Sequence, residues 1–459
     1  MLEEFDKTTR NFVHGPANFR RDQLCCSTAR SRCPTSANMT FARAKLEKSL
    51  EPVNSCSHLS AGLFGQLLPL FAMAHGNSIP FPHGAVKIIP RAELQDCGAW
   101  KRAFQNKCKD HRYYEIVEDT LECGFEHQYL LFDDRSGNAR AIQPVFFVRQ
   151  NLVEGVPGRI RSFVDAIRRA FPRFLTMRVL MVGCGAGTGD LGPCEQKDEP
   201  WMANAFQETL RKYARRNRAS LVVFKDFPAN YRSALETLLS NGYARVPSMP
   251  MTRLSLHYKN WDEYFRTLSK ATRKDLRRKF RKAERAPKMD MEVVNDVTPF
   301  VDEIHPLYLA VHERSPLKFE TLTKDYFQAI AQRMPEHARF FIWRQTGKIV
   351  AFSFCLVCGE AIYDECIGLD YSVALDLHLY FYTLRDIISW ALQQGLKYYY
   401  SNPLNYEPKL HLDCELVPLD LYVMHTNPLL NPIFRRMIKY LGPTRHDPVL
   451  RRFPNSDQL

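Results

Sequence analysis

Read as a pattern of apolar and polar positions, the chain becomes regular from about residue 83 onward, and the order of its elements occurs twice. In the first pass a strand at 85–89 precedes helical stretches at 91–111 and 113–123. Two strands at 127–132 and 139–149 then flank a turn of Arg135, Ser136, Gly137 and Asn138. An apolar run at 174–182, a helix at 201–217, a strand at 221–224, a helix at 230–241 and a strand at 252–257 complete it. In the second pass a strand at 291–294 leads to two helices between 299 and 334. Strands at 339–343 and 349–357 flank Gln345, Thr346, Gly347 and Lys348, followed by a strand at 362–368, a helix at 379–393 and a strand at 397–400.

Identities support the duplication. Gly137 and Gly347 lie 210 apart, as do Ala141 and Ala351, whereas Phe206 and Phe381, Pro228 and Pro403, Asn230 and Asn405, and Tyr231 and Tyr406 all lie 175 apart. The change of offset assigns the first copy about 35 extra residues, roughly 159–191. Between the copies, residues 260–288 form an amphipathic helix with one narrow apolar stripe of Phe265, Leu268, Thr272, Leu276, Phe280 and Ala283. Asn260 followed by Glu263 starts it as a capping box, and Ala286 with Pro287 stops it. From Arg266 to Lys288 it carries eleven Lys/Arg against two acids, which makes it either a solvated linker or the front of an anionic ligand held by Arg273, Arg277 and Arg281.

Length and composition add bounds. At 459 residues, 45% hydrophobic and 25% charged, the chain is an ordinary globular protein of two or three domains. A net charge of +13 favours polyanionic partners, tRNA among them. The acidic start and the lack of a long apolar run place it in the cytoplasm without a membrane span. Thirteen cysteines then read as reduced thiols. Cys25, Cys26, Cys33 and Cys56 match no zinc spacing, so no metal is expected. Cys355 and Cys358 have redox spacing, but on a strand residues three apart face opposite ways.

The repeated order is similar to that of the GNAT N-acyltransferase fold. Trp261 to Tyr264 with the basic run to Glu284, and Asn405, Tyr406, Pro408 and Lys409 with Pro418, Asp420 and Tyr422, resemble the FemAB-like group of predicted N-acyltransferases. The resemblance covers roughly residues 83–440. It implies an α/β (α+β) architecture of two tandem GNAT-like mixed-sheet domains, at 83–258 and 290–459, joined by a basic helix at 259–289 and preceded by a loosely ordered extension at 1–82. It also implies direct attack of an amine on an acyl-CoA thioester, acetyl-CoA included, with a carboxylate as proton acceptor and a tyrosine as proton donor to the leaving thiolate. Carried over residue by residue, the base is Glu365, since alternation separates it from Asp364, and the acid is Tyr406; His378 is a second base or a surface residue. The donor would lie along Ile367, Gly368, Tyr371, Ser372, Val373, Ala374 and Asn405. The turn at 370–376 departs from the family's glycine-rich phosphate loop and carries acids, which keeps aminoacyl-tRNA open as the donor.

A reading from another class rests on Val182 running into Gly183, Gly185 and Gly187, which looks like the first motif of S-adenosylmethionine methyltransferases. The acid that should follow, Asp226, comes 43 residues after Gly183, about twice the expected interval. A non-catalytic RNA-binding protein is a third reading, resting on charge.

Overall fold

The expected helices and strands have partners that settle into two mixed sheets. The computed structural model describes residues 78–121, 124–151, 166, 169, 176–315, 318–438 and 442–459. The expected extension at 1–77, with Cys25, Cys26, Cys33 and Cys56, lies outside them. Residues 78–81, assigned to that extension, are a strand. The strands are β1 (Ser78–Phe81), β2 (Gly84–Ile89), β3 (Glu126–Asp134), β4 (Ala139–Asn151), β5 (Thr176–Val182), β6 (Leu221–Pro228), β7 (Ala244–Pro247), β8 (Met251–Ser255), β9 (Met289–Val294), β10 (Ala338–Gln345), β11 (Lys348–Cys358), β12 (Ala361–Leu369), β13 (Tyr398–Ser401), β14 (Glu415–Val417) and β15 (Leu419–His425).

The first sheet runs β1-β2-β3-β4-β5-β6-β15-β7 and the second runs β9-β10-β11-β12-β13-β8-β14. Apart from β1 the two orders correspond strand for strand, each antiparallel except for one parallel pair, β5–β6 and β12–β13. The correspondence holds only if the last strand of each copy sits in the other copy's sheet. β8, expected to finish the first lobe, pairs antiparallel with β13 and β14, while β15 lies between β6 and β7. The sequence boundary near 258 is therefore not the boundary between sheets. Buried Asp420 on β15 fixes the exchange, because Arg232 of the first half grips its carboxylate at 2.6 and 3.1 Å.

The basic segment is two helices, not one: α1 (Trp261–Thr267) and α2 (Lys270–Glu284). Asn260 Oδ1 accepts from the Glu263 N–H, and the Glu263 carboxylate reaches back to the Lys259 N–H, which is close to the expected cap. Leu268 turns extended, with ψ of 155°, and Ser269 caps the second helix through the Thr272 N–H. The apolar stripe is buried as expected at Phe265, Leu268, Leu276, Phe280 and Ala283, packing with α3 (Leu379–Gln393) against the second sheet through Phe341 and Trp343. It therefore covers the outer face of that sheet and does not lie between the lobes.

The lobes meet on the opposite face, where α4 (His111–Thr120) packs on α5 (Lys324–Arg333). The Tyr113 and Tyr326 hydroxyls are 2.9 Å apart, and Arg333 bridges Glu115 and Asp119. A methyltransferase sheet is excluded by topology: the glycine run follows β5, whose other neighbour β4 is antiparallel, so no doubly wound parallel sheet exists there. A fragment ending at residue 258 lacks the strand that joins β6 to β7. Expressed alone it is expected to aggregate, and a monomer with a cooperative denaturant transition would show that the first lobe does not need β15.

Candidate active site

In each lobe the parallel pair separates before its longer strand ends. β12 and β13 are paired from Ala361 with Tyr398 to Asp364 with Ser401; beyond that point Glu365 bulges out of the ladder, its carbonyl accepting from Asn402 Nδ2 at 2.7 Å, and residues 366–369 have β11 as their only strand neighbour among the described residues. The first residue past the parting is Glu365. Asp364 and Glu365 face opposite ways, as expected, although Glu365 is the extra residue of a β-bulge between the pairs Cys355–Asp364 and Phe354–Cys366. Asp364 points into the outer core, accepting from Ser353 Oγ at 2.5 Å and Tyr399 OH at 2.7 Å; burial pushes its carboxyl up, against the pull of those two donors. Glu365 points toward the first lobe, where Lys109 Nζ lies 3.0 Å from each carboxylate oxygen and Asn402 Nδ2 donates to Oε2 at 3.1 Å.

The equivalent gap in the first lobe is filled by its own chain. β5 and β6 are paired up to Val182 with Phe224, and the glycine run then folds back against β6. The Gly189 N–H donates to the Asp226 carbonyl at 3.1 Å and Lys225 Nζ to the Gly187 carbonyl at 2.9 Å. A Cβ on Gly189 would collide with the Lys225 carbonyl and the Phe227 ring. The glycines of the methyltransferase reading are thus explained by packing: Gly183 lies against the Gly189 backbone, Gly185 against the Phe125 ring and Gly187 against the Lys109 side chain.

Several expected site residues are used structurally. Tyr406 is buried, and its hydroxyl donates to the Pro250 carbonyl at 2.8 Å while burial pushes the phenol up, so it is not presented to a leaving thiolate. Its twin Tyr231 is tied to Asp190 and accepts from Lys107 at 2.8 Å. The N–H groups of Ser372, Val373 and Ala374, which a phosphate would need, already donate to Asp370. Tyr371 lies under the Arg314 guanidinium at 3.9 Å. Gly368 is required because a Cβ would strike the Phe352 ring and the Tyr308 backbone. Asn405, in the left-handed region at φ of 51°, bonds Tyr380 on α3, and Ile367 pairs with Ser353 on β11. Arg273 donates to the Arg266 carbonyl at 2.8 Å and to the Leu268 carbonyl, closing the end of α1. Cys355 lies beside Asp364, whereas Cys358 is hydrogen-bonded to Cys108, so the two thiols have separate partners.

Arg277 and Arg281 do line a groove of about 1030 Å³ on α2, together with Lys274, Arg278, Lys282 and His378. His378 sits at φ of 50° immediately before α3; burial and the neighbouring Lys279, Lys282 and Arg278 hold its ring below the usual histidine value. The groove is predominantly basic, with Asp275 also in its lining and paired to Arg278 at 2.6 Å, while Lys282 pairs with Asp376 at 3.3 Å.

Sequence reasoning named Lys409 within a motif but gave it no role. It is buried on α6 (Tyr406–His411) and donates to the Asn402 carbonyl and, at 2.8 Å, to the Leu404 carbonyl, holding a bend in which Leu404 and Asn405 both have positive φ. Burial pulls its ammonium down to about 8. Its place in the run Asn405, Tyr406, Pro408 and Lys409 was the available signal.

Residues 270–407 match the family model of acetyltransferase (GNAT) domains. No curated protein matches the chain. Solved structures similar to it include FemX, at 11% identity over 77% of this chain and 100% of that one with a TM-score of 0.46. A tandem GNAT protein from the clavulanic acid biosynthesis pathway shares 9% identity over 75% and 99%, with a TM-score of 0.43. The C-terminal domain of a putative lysylphosphatidylglycerol synthetase from Agrobacterium fabrum shares 14% over 71% and 94%, with a TM-score of 0.42.

Because Lys409 titrates lower in the fold than the ordinary 10.5, the unfolded chain binds more protons between those values, and stability attributable to this residue rises with pH from about 8 to 10.5. Denaturant unfolding is expected to show that gain relative to Lys409→Met; a difference that stays flat across the window would contradict it.

Proposed function

We propose that this chain, whose residues 270–407 form a GNAT acetyltransferase domain, moves an acyl group from a thioester donor of the acyl-CoA type, such as acetyl-CoA, to an amine, and that the second lobe does the work. The observation that carries this reading is the parting of β12 from β13 immediately before Glu365, set against the self-filled gap of the first lobe. In this reading an extended pantetheine arm lies beside residues 366–369 as an added strand, and a strand N–H steadies the oxygen where negative charge develops. The amine nitrogen attacks the thioester carbon; a C–N bond forms, the C–S bond breaks, and the sulfur leaves as a thiolate. The proton shed by the nitrogen passes to Glu365. The acceptor is a small amine or an amino group on a larger molecule.

The groove along α2 suits the phosphates of such a donor. Lys274, Arg278 and Lys282 recur once per turn and span about 12 Å. That reach exceeds a single pyrophosphate and favours, as a second reading, the acceptor end of an aminoacyl-tRNA. No helix among the described residues is long and apolar enough to cross a membrane.

Release of free thiol from acetyl-CoA in the presence of a panel of primary amines tests the reaction. Glu365→Gln is expected to lower turnover by about 10²–10⁴-fold with the fold intact. Tyr406→Phe should stay within a few-fold of wild type and lose about 1 kcal/mol of stability with its hydrogen bond. Undiminished turnover in Glu365→Gln would remove the assignment. Reversing Arg278 and Lys282 to Glu is expected to abolish thermal stabilisation by coenzyme A at low salt. Equal stabilisation of variant and wild type would show that the groove does not hold the donor, and a log–log salt slope of several for tRNA binding would favour the second reading.

A further inference from the structure

The glycine run of the first lobe has no part in the chemistry above, yet one of its members faces the reacting lobe. Gly187 has φ of +85°, and a Cβ there would run into the ammonium of Lys109. The side chain missing at Gly187 is therefore the space that Lys109 occupies. From that position Nζ lies 3.0 Å from both oxygens of Glu365, across 256 residues of sequence and across the lobe boundary. The Lys109 and Glu365 side chains are 11% and 8% exposed, and the Tyr113 ring stands 5.1 Å from the ammonium.

We propose that Lys109 is a positioning residue for the second lobe's reaction: the first lobe, through its glycine cradle, supplies the cation that keeps Glu365 in its proton-accepting form and orientation. The active site is then composite, and residues 270–407 alone are incomplete. This rests on Glu365 being the proton acceptor.

The physical need is plain. A carboxylate removed from water takes up a proton unless a positive charge or hydrogen-bond donors hold its charged form. The other ionisable groups around Glu365 do not supply that charge. Burial pushes up the phenols of Tyr113, Tyr326 and Tyr363 and the thiol of Cys366, and the hydrogen bond with Cys358, then burial, raises Cys108. Asp364 faces the other way and is itself raised by burial. Cys184 is raised by burial, and Glu320, nearer Lys225, likewise. Among the described residues Lys109 is the one cation with a hydrogen bond to Glu365. Burial acts to lower its own ammonium, but the charge of Glu365 and the hydrogen bond to it outweigh burial, and the net direction is up.

Carbon-13 labelling of glutamate carboxyls, with the Glu365 signal identified by its loss in Glu365→Gln, follows this carboxyl directly, and kcat/KM–pH profiles with acetyl-CoA follow its consequence. In Lys109→Met the titration midpoint and the acid limb are expected to move to higher pH by about 1–3 units, and Lys109→Arg should restore them. Gly187→Ala, which displaces the ammonium from the other side, should shift them the same way; if that variant does not fold, Lys109→Met carries the test. An unmoved midpoint in folded Lys109→Met overturns the proposal and leaves the reading of Glu365 standing. Full turnover in Glu365→Gln overturns that reading, and the role of Lys109 with it.

Discussion

Each sheet here is completed by a strand from the other half of the chain, and the rest of the architecture follows from that exchange. β6 and β7 have no direct ladder to each other; β15 supplies the hydrogen bonds of both, as β8 does for β13 and β14. Buried backbone groups without partners are costly, so neither sheet is complete until both halves are present. The crossings are themselves bonded, with the Ser248 N–H donating to the Leu419 carbonyl and the Ala229 N–H to the Pro418 carbonyl. Such a connection joins the two lobes around one shared apolar core and holds α4 against α5 with Tyr113 opposite Tyr326.

Within that frame the two copies have diverged in one respect that matters for chemistry. The first has turned its parting strands into a closed structure, with Gly189 and Lys225 spanning the gap by backbone and side-chain bonds. The second leaves residues 366–369 of β12 with a strand neighbour on one side, while Asn402 donates to the bulged Glu365 carbonyl and Lys409 shapes the bend that follows β13. Both tyrosines of the repeated motif serve as struts, one on Pro250 and one on Asp190. What distinguishes the lobes is the ionic partner at the gap: the position after Val182 is a glycine, and the position after Asp364 is Glu365.

Much of this was legible in the sequence. Period-two alternation located most strands to within a residue or two, and the paired offsets of glycines and of Tyr231 with Tyr406 exposed the duplication. The exchange was not legible, because alternation reports which face a strand buries and not which strand lies beside it; β8 was assigned to its own half, and β15 was not among the strands read. The apolar stripe from Phe265 to Ala283 was read correctly, but its partner was not, since an amphipathic helix shows that it packs and not on what. Lys109 was invisible for a similar reason: a lysine next to Lys107 and Cys108 looks like surface until the side chain missing at Gly187 shows where it goes.

The hydrogen bonds from Arg273 to the carbonyls of Arg266 and Leu268, together with the burial of Leu276 and Phe280, anchor α2 at its start and along its length. A flexible basic tail must be ordered when a phosphate arrives, and that entropy is subtracted from affinity. Here the backbone beneath Lys274, Arg278 and Lys282 is already ordered, so an incoming anion has only the side chains to order, among them Arg278 and Lys282 released from Asp275 and Asp376.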